Sequence, residues 1–270
     1  MTKHFMDRAI ELARGVRGST SPNPPVGAVV VRDGTIVGEG ETRPAGGAHA
    51  EVVALREAAN KAHGATLYVT LEPCSHWGRT PPCTDAIIQA GISEVHAATL
   101  DPNPAVHGHG VERLRDSGIK VVVGERKSEA ARLIQAHSHY SRTGRPLVTL
   151  FIGDEPSALR TCLSRTDVAV EPVQASDPAL ARAVGEAAGP EGSATIAEQM
   201  SLRLTDLRPA HGAHGGLVPS RLSAVPSLTE LMNELGRQNV TSVLVAGSRE
   251  ILDRFQSEQL ADRVLEDCIQ

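Results

Sequence analysis

AHAEVVALREAANKAHGATLYVTLEPCSHWGRTPPC, residues 48–83, decides how the rest of the chain is read. Ala48–Ala62 is dense in helix formers, Thr66–Leu71 (TLYVTL) is an apolar, β-branched run, and Thr84–Ala90 (TDAIIQA) opens another helix that Gly91 closes. A helix, a buried strand and a second helix in such short succession predict a layered α/β sheet.

The alternation extends in both directions. Upstream, apolar residues from Phe5 to Ala13 recur at helical spacing, and the strands Val26–Val31 and Ile36–Val37 flank Arg-Asp-Gly as a hairpin. Downstream come strand Glu94–Thr99, helix Gly110–Ser117, strand Ile119–Val123 and a helix over Ser128–Tyr140. Polar and turn-forming residues at Ser141–Pro146 (SRTGRP) then break the pattern. This places one domain over 1–144 and a second over 147–270. The second opens on strand Leu147–Ile152, loses periodicity between Gly153 and Pro226, and regains it in helix Ser227–Arg237, strand Ser242–Ala246, helix Arg249–Leu260 and strand Arg263–Leu265.

Composition narrows the function class. Lys plus Arg number 27 against 32 for Asp plus Glu, so the net charge of −5 offers no electrostatic footprint for a nucleic-acid backbone. The N-terminal helix pattern carries Asp7, Arg8, Glu11 and Arg14, unlike a signal peptide, and no apolar run is long enough to span a membrane. Cytoplasmic residence is the expectation, and there Cys74, Cys83, Cys162 and Cys268 read as metal ligands or buried thiols rather than disulfides.

His49, Cys74 and Cys83 supply one imidazole and two thiolates, three of the four positions of tetrahedral zinc. A fourth position left for water is the arrangement of catalytic zinc. Cys83 follows Pro81-Pro82 at the start of a helix, where exposed N–H groups favour a thiolate. Glu51, two residues past His49, is placed at a helix start to exchange protons with that water. His-x-Glu followed by Pro-Cys is the signature of zinc deaminases, except that eight residues rather than two separate Cys74 from Cys83. The competing reading is a closed structural zinc site with His76 as fourth ligand, which leaves Glu51 without a task.

PNPPVGAVVV (22–31), HAEVVALR (49–56), YVTLEPCSHWGRTPPC (68–83) and DPNP (101–104) resemble the bifunctional riboflavin-biosynthesis deaminase/reductase family, RibD, over the first half of the chain. The resemblance implies a cytidine-deaminase-like three-layer α/β/α domain followed by a smaller, truncated α/β reductase-like domain. It implies Zn²⁺ on His49, Cys74 and Cys83, with Glu51 as the proton shuttle. The implied reaction is deamination of 2,5-diamino-6-ribosylamino-4(3H)-pyrimidinone 5′-phosphate, a small-molecule pyrimidine ribosyl phosphate. Asn23, Thr42, His76, Arg79, Asp101 and Asn103 fall in segments that line the family's substrate pocket. Arg79 suits a phosphate but equally a solvated loop, and Asn23, Asp101 and Asn103 double as turn residues. Thr42 stands where many family members carry His, which keeps a deaminase of another aminated heterocycle, or a catalytically silent zinc-stabilised module, as alternatives. A homodimer is an open assembly. The other histidines (4, 63, 96, 107, 109, 137, 139, 211 and 214) read as surface or packing residues.

The second half departs from the family. Phe151 stands at the expected Lys, no Ser-x-Asp-Gly turn follows, and Ala246 replaces the usual acidic residue before Gly247-Ser248. These losses predict a degenerate domain without NADPH-dependent reduction, and a separate reductase in the pathway.

Overall fold

The computed structural model describes residues 5–151 except 79 and 105, and then 168–172, 202–203, 228–237, 239–246, 253 and 255–265. The chain divides into two compact units, Met1–Arg142 and Thr143–Gln270.

In the first unit five strands, β1 (Gly27–Arg32), β2 (Thr35–Glu41), β3 (Thr66–Val69), β4 (Glu94–Ala97) and β5 (Lys120–Val123), form one sheet in the order β2-β1-β3-β4-β5. β1 runs antiparallel to β2 and β3, while β3, β4 and β5 are parallel. Arg32 pairs with Thr35, so the hairpin loop is Asp33-Gly34 alone, at φ of 50° and 71°. Two successive positive φ values match the right-handed twist of the strands they join.

Both faces of the sheet are covered, and β1 shows why. Ala28 and Val30 enter one core with Ala50, Ala54 and Ala58 of α2 (Ala50–Ala58), Ile87 of α3 (Cys83–Gln89) and Leu114 of α4 (His109–Asp116). Val29 and Val31 point the other way, toward Met6, Ala9, Ile10 and Ala13 of α1 (Phe5–Gly15) and Leu133 of α5 (Lys127–Leu133). Period-two strand geometry thus divides one apolar run between two cores and makes the three-layer α/β/α sandwich.

Two helices differ from expectation. The helix from Ala48 to Ala62 is α2 followed by a 3-10 turn, Ala59–Ala62, because Ala59 takes φ 48° and ends the regular ladder. The helix over Ser128–Tyr140 is two, α5 and α6 (Gln135–Thr143), with a break at Ile134. Ile134 leaves the α1 side, where Ala130 and Leu133 pack, and enters the α2 core. Among the described residues no helix is long and apolar enough to cross a membrane.

The second unit contains a sheet in the order β10-β6-β9-β7-β8, built from β6 (Leu147–Phe151), β7 (Val168–Pro172), β8 (Leu202–Arg203), β9 (Ser242–Ala246) and β10 (Arg263–Leu265). The β10-β6, β6-β9 and β9-β7 pairs are parallel and β7-β8 is antiparallel. α7 (Leu228–Arg237) buries Leu228, Leu231, Met232 and Leu235, an i, i+3, i+4, i+7 stripe. Most of 153–226, the Gly247-Ser248 turn, most of Arg249–Leu260, Cys162 and Cys268 lie outside the described residues.

Candidate metal centre and substrate cavity

The site forms where the parallel strands end. The chain leaving β3 runs through Leu71 and Glu72 to Cys74, and the chain leaving β4 supplies Asp101, both at carboxyl ends where open α/β sheets place ligands. His49 is the N-cap of α2 and Cys83 the first residue of α3. No side chain caps α3. Its first N–H groups go to Cys74 instead, Cys83 N–H to Sγ at 3.3 Å and Thr84 N–H to the carbonyl at 3.1 Å.

His49, Cys74 and Cys83 place their donor atoms within 4.8 Å of one another. His49 Nδ1 is 3.1 Å from Cys83 Sγ and 3.6 Å from Cys74 Sγ, and Thr80 Oγ1 lies 3.4 Å from Nε2 on the far side of the ring. With Zn–S of about 2.3 Å and Zn–N of about 2.0 Å, donors of one tetrahedral zinc lie roughly 3.5–3.8 Å apart. The three residues fit the ion. The hydrogen bond from Cys83 holds the Cys74 thiol low against burial, helped by His49, and the same bond together with burial holds Cys83 high. A divalent cation held by the three residues would stabilise both thiolates.

Glu51, in the first turn of α2, is 4% exposed. Burial, then the negative Cys74, pushes its carboxyl up to about 7 against the pull of His49. A carboxyl balanced between its two forms near neutral pH suits a group that must accept and return one proton.

Beside the triad lies a cavity of about 250 Å³. Asn23, Thr42, His76 and Asp101 line it with His49, Glu51 and Cys74. Thr42 is buried, and its hydroxyl is occupied: it accepts the Val26 N–H at 3.0 Å and faces the Val26 carbonyl at 3.4 Å. His76 is exposed at the rim and is not part of the donor cluster. Asn103 stands outside the lining, its N–H turned onto Asp101 Oδ1 at 2.8 Å. Arg79 lies outside the described residues.

Two lining residues carry no local sequence signal. Glu72 is 4% exposed and accepts four backbone N–H groups, from Asp101 and Gly108 on Oε2 and from Gly110 and Val111 on Oε1, at 2.9–3.3 Å. It anchors the 101–111 loop and the first turn of α4. His137, read from the sequence as a surface or packing residue, reaches the cavity from α6. A carboxylate satisfied by a distant loop and a polar side chain on an apolar-poor helix look ordinary along the chain. Only the fold brings them to the site.

Residues 1–99 match the family described as cytidine and deoxycytidylate deaminase zinc-binding region. The diaminohydroxyphosphoribosylamino-pyrimidine deaminase of Buchnera aphidicola is 49% identical over 144 residues, 53% of this chain and 98% of that protein. The chain belongs to the RibD family. Riboflavin biosynthesis protein RibD of Aquifex aeolicus is 57% identical over 148 residues, 55% of this chain and 42% of the relative. The chain thus spans less than half the length of such longer RibD relatives in these matches. The structure of a diaminohydroxyphosphoribosylaminopyrimidine deaminase/5-amino-6-(5-phosphoribosylamino)uracil reductase from Thermotoga maritima aligns with a TM-score of 0.74 and 30% identity, over 96% of this chain and 84% of that one. The RibD likeness in sequence is concentrated in the half that holds the donor triad, while the likeness in fold extends into the second unit.

Proposed function

We propose that the first unit hydrolyses the amino group at C2 of 2,5-diamino-6-ribosylamino-4(3H)-pyrimidinone 5′-phosphate, releasing ammonia and leaving a 5-amino-uracil. The observation that carries this reading is the nearly fully buried Glu51 beside the His49–Cys74–Cys83 triad at the wall of a cavity. Zinc held by these three residues supplies Lewis acidity that makes water nucleophilic at neutral pH. Glu51 accepts the proton of the attacking water and passes it to the adjacent ring nitrogen. As the C–N bond breaks, a second proton, from the hydroxyl added to C2, passes by way of Glu51 to the departing amine. The ring carbonyl forms and ammonia leaves. The cavity wall from Pro22 to Val26 and the loop anchored by Glu72 hold the ring and shield it from bulk water.

In the same reading the second unit does not reduce the product, and reduction falls to a separate protein. Phe151 at the position of the expected Lys and the missing Ser-x-Asp-Gly turn support this. Hydride transfer needs the nicotinamide and the ribose carbon held together by such groups.

One observation favours a neighbouring substrate: the Thr42 hydroxyl accepts the Val26 N–H and turns its proton toward the Val26 carbonyl, so that wall offers a ligand no donor where a His would. The deciding experiment offers purified zinc-loaded protein the pyrimidinone phosphate and, separately, other aminated heterocycles, following ammonia, then adds NADPH and follows its absorbance. Ammonia from the pyrimidinone phosphate is expected. Ammonia from another heterocycle alone overturns the substrate, and product-dependent NADPH oxidation overturns the assignment of reduction elsewhere.

A further inference from the structure

The deamination steps leave one polar wall of the cavity unused. His137 lines the same cavity as His49, Glu51 and Asp101. Among the described residues its Nδ1 is buried without a hydrogen-bond partner, while Nε2 lies 3.4 Å from Ser141 Oγ, one helical turn further along α6. A buried polar atom without a partner is uncommon in folded proteins, and at a cavity wall it calls for a ligand. Burial favours the neutral imidazole against the pull of Asp101 and the Pro22 carbonyl. A neutral imidazole has one donor and one acceptor nitrogen, and the Ser141 hydroxyl can serve Nε2 in either role. With Nε2 accepting the Ser141 hydroxyl proton, Nδ1 carries the ring N–H and is the donor offered to a ligand.

Asp101 narrows what that ligand is. Its Oδ1 accepts the Asn103 N–H at 2.8 Å, and its carboxylate, which lines the same cavity, favours the charged form of His137. A hydroxyl satisfies both neighbours at once, donating to the carboxylate and accepting from an imidazole N–H. An amine offers the carboxylate a donor but is a poor acceptor for imidazole, and a carbonyl offers the carboxylate nothing. Thr42, the expected contact, has its hydroxyl on the Val26 backbone.

We propose that His137 is a substrate-binding residue of this site, its Nδ1 forming with Asp101 a receptor for a sugar hydroxyl of the pyrimidine ribosyl phosphate. The inference rests on the deaminase reading and goes beyond it in assigning the sugar a place on α6.

The test compares zinc-loaded wild type, His137→Leu, His137→Asn and His137→Gln. Each receives the ribosyl phosphate substrate, with ammonia release giving kcat and KM, and binding of the triaminopyrimidinone lacking the sugar is measured by calorimetry. His137→Leu is expected to raise KM for the sugar-bearing substrate about tenfold, equivalent to about 1.4 kcal/mol, with kcat nearly unchanged and binding of the sugar-free base unaltered. Asn, whose amide falls near the place of Nδ1, should restore most of the loss, and Gln, whose amide falls nearer Nε2, should not. An unchanged KM in His137→Leu, or equal weakening of both ligands, overturns the proposal. If the Leu protein does not fold, the Asn–Gln pair decides: Asn ahead of Gln supports the assignment, and equal or reversed order overturns it. Wild type that releases no ammonia from the ribosyl phosphate overturns the deaminase reading itself, a failure visible without any variant.

Discussion

Glu72 Oε1 accepts the backbone N–H of Gly110 at 2.9 Å, and at position 110 a β-carbon would meet the Pro73 carbonyl and press to 3.2 Å from the same carboxylate. The two residues fit only as an acid against a bare backbone. Glu72→Gln keeps the shape but turns an amide N–H₂ toward N–H groups that need an acceptor. The expected loss is about 2 kcal/mol, the scale of hydrogen bonds to a charged group, read as a fall in melting temperature and a raised KM. A Gln protein with wild-type melting and KM would show that the loop does not depend on the charge.

Cys74→Ala and Cys83→Ala should each lose zinc, measured by elemental analysis of purified protein, because two remaining donors leave the tetrahedral site half-built. The same change at Cys162 or Cys268 should leave about one zinc per chain. Full zinc content in Cys74→Ala would remove this residue from the ligand set.

Glu51→Gln should keep zinc and fold while kcat falls by about 10²–10⁴, the usual contribution of a positioned general acid–base. An amide cannot take and return the proton. Near-wild-type turnover would place the proton shuttle elsewhere.

Arg8 ties α1 to β2 through a two-pronged contact, Nε to Glu39 Oε1 and Nη2 to Oε2, both at 2.8 Å. The guanidinium holds the Glu39 carboxyl below its ordinary range, so the stabilisation is present above the unfolded carboxyl pKa and is lost as pH falls through the lower folded value. Both groups are partly exposed, which limits the contribution to about 1 kcal/mol or less. Arg8→Met should therefore be less stable than wild type in denaturant titrations at neutral pH and equal to it in acid. A stability gap that persists once Glu39 is protonated would assign the effect to packing of the Arg8 stem.

The donor triad was legible in the sequence because each member announces itself locally: a His before a helix rich in alanine, a Cys after a strand, a Cys after two prolines. The alternation that marks the three-layer sandwich was equally legible, since strand and helix periods differ. Helix ends were not. Ala59 takes a positive φ and Ile134 changes cores, and both are settled by what lies across the fold rather than by neighbouring residues. For the same reason Glu72 passed as one letter of a motif, though its four partners lie in a later loop. His137 passed as a surface or packing residue because α6 has no buried stripe to mark which side faces inward. Thr42 read as a pocket residue, and the backbone that its hydroxyl bonds belongs to a neighbouring strand entry.

Gly38 and Gly40 of β2 face α2 with no side chain between, and a β-carbon on Gly40 would collide with the Ala50 carbonyl and reach 2.5 Å from Ala54 N. The first turn of α2, with His49 before it and Glu51 within it, therefore rests on strand backbone, while Cys74 hangs from β3 in the same sheet. Gly40 is a spacer gauge that sets how far the imidazole stands from the thiols. A methyl at position 40 must be accommodated by a shift between β2 and the first turn of α2, so the expected first effect of Gly40→Ala is a lower zinc content, read by elemental analysis, in a protein whose melting still marks it as folded.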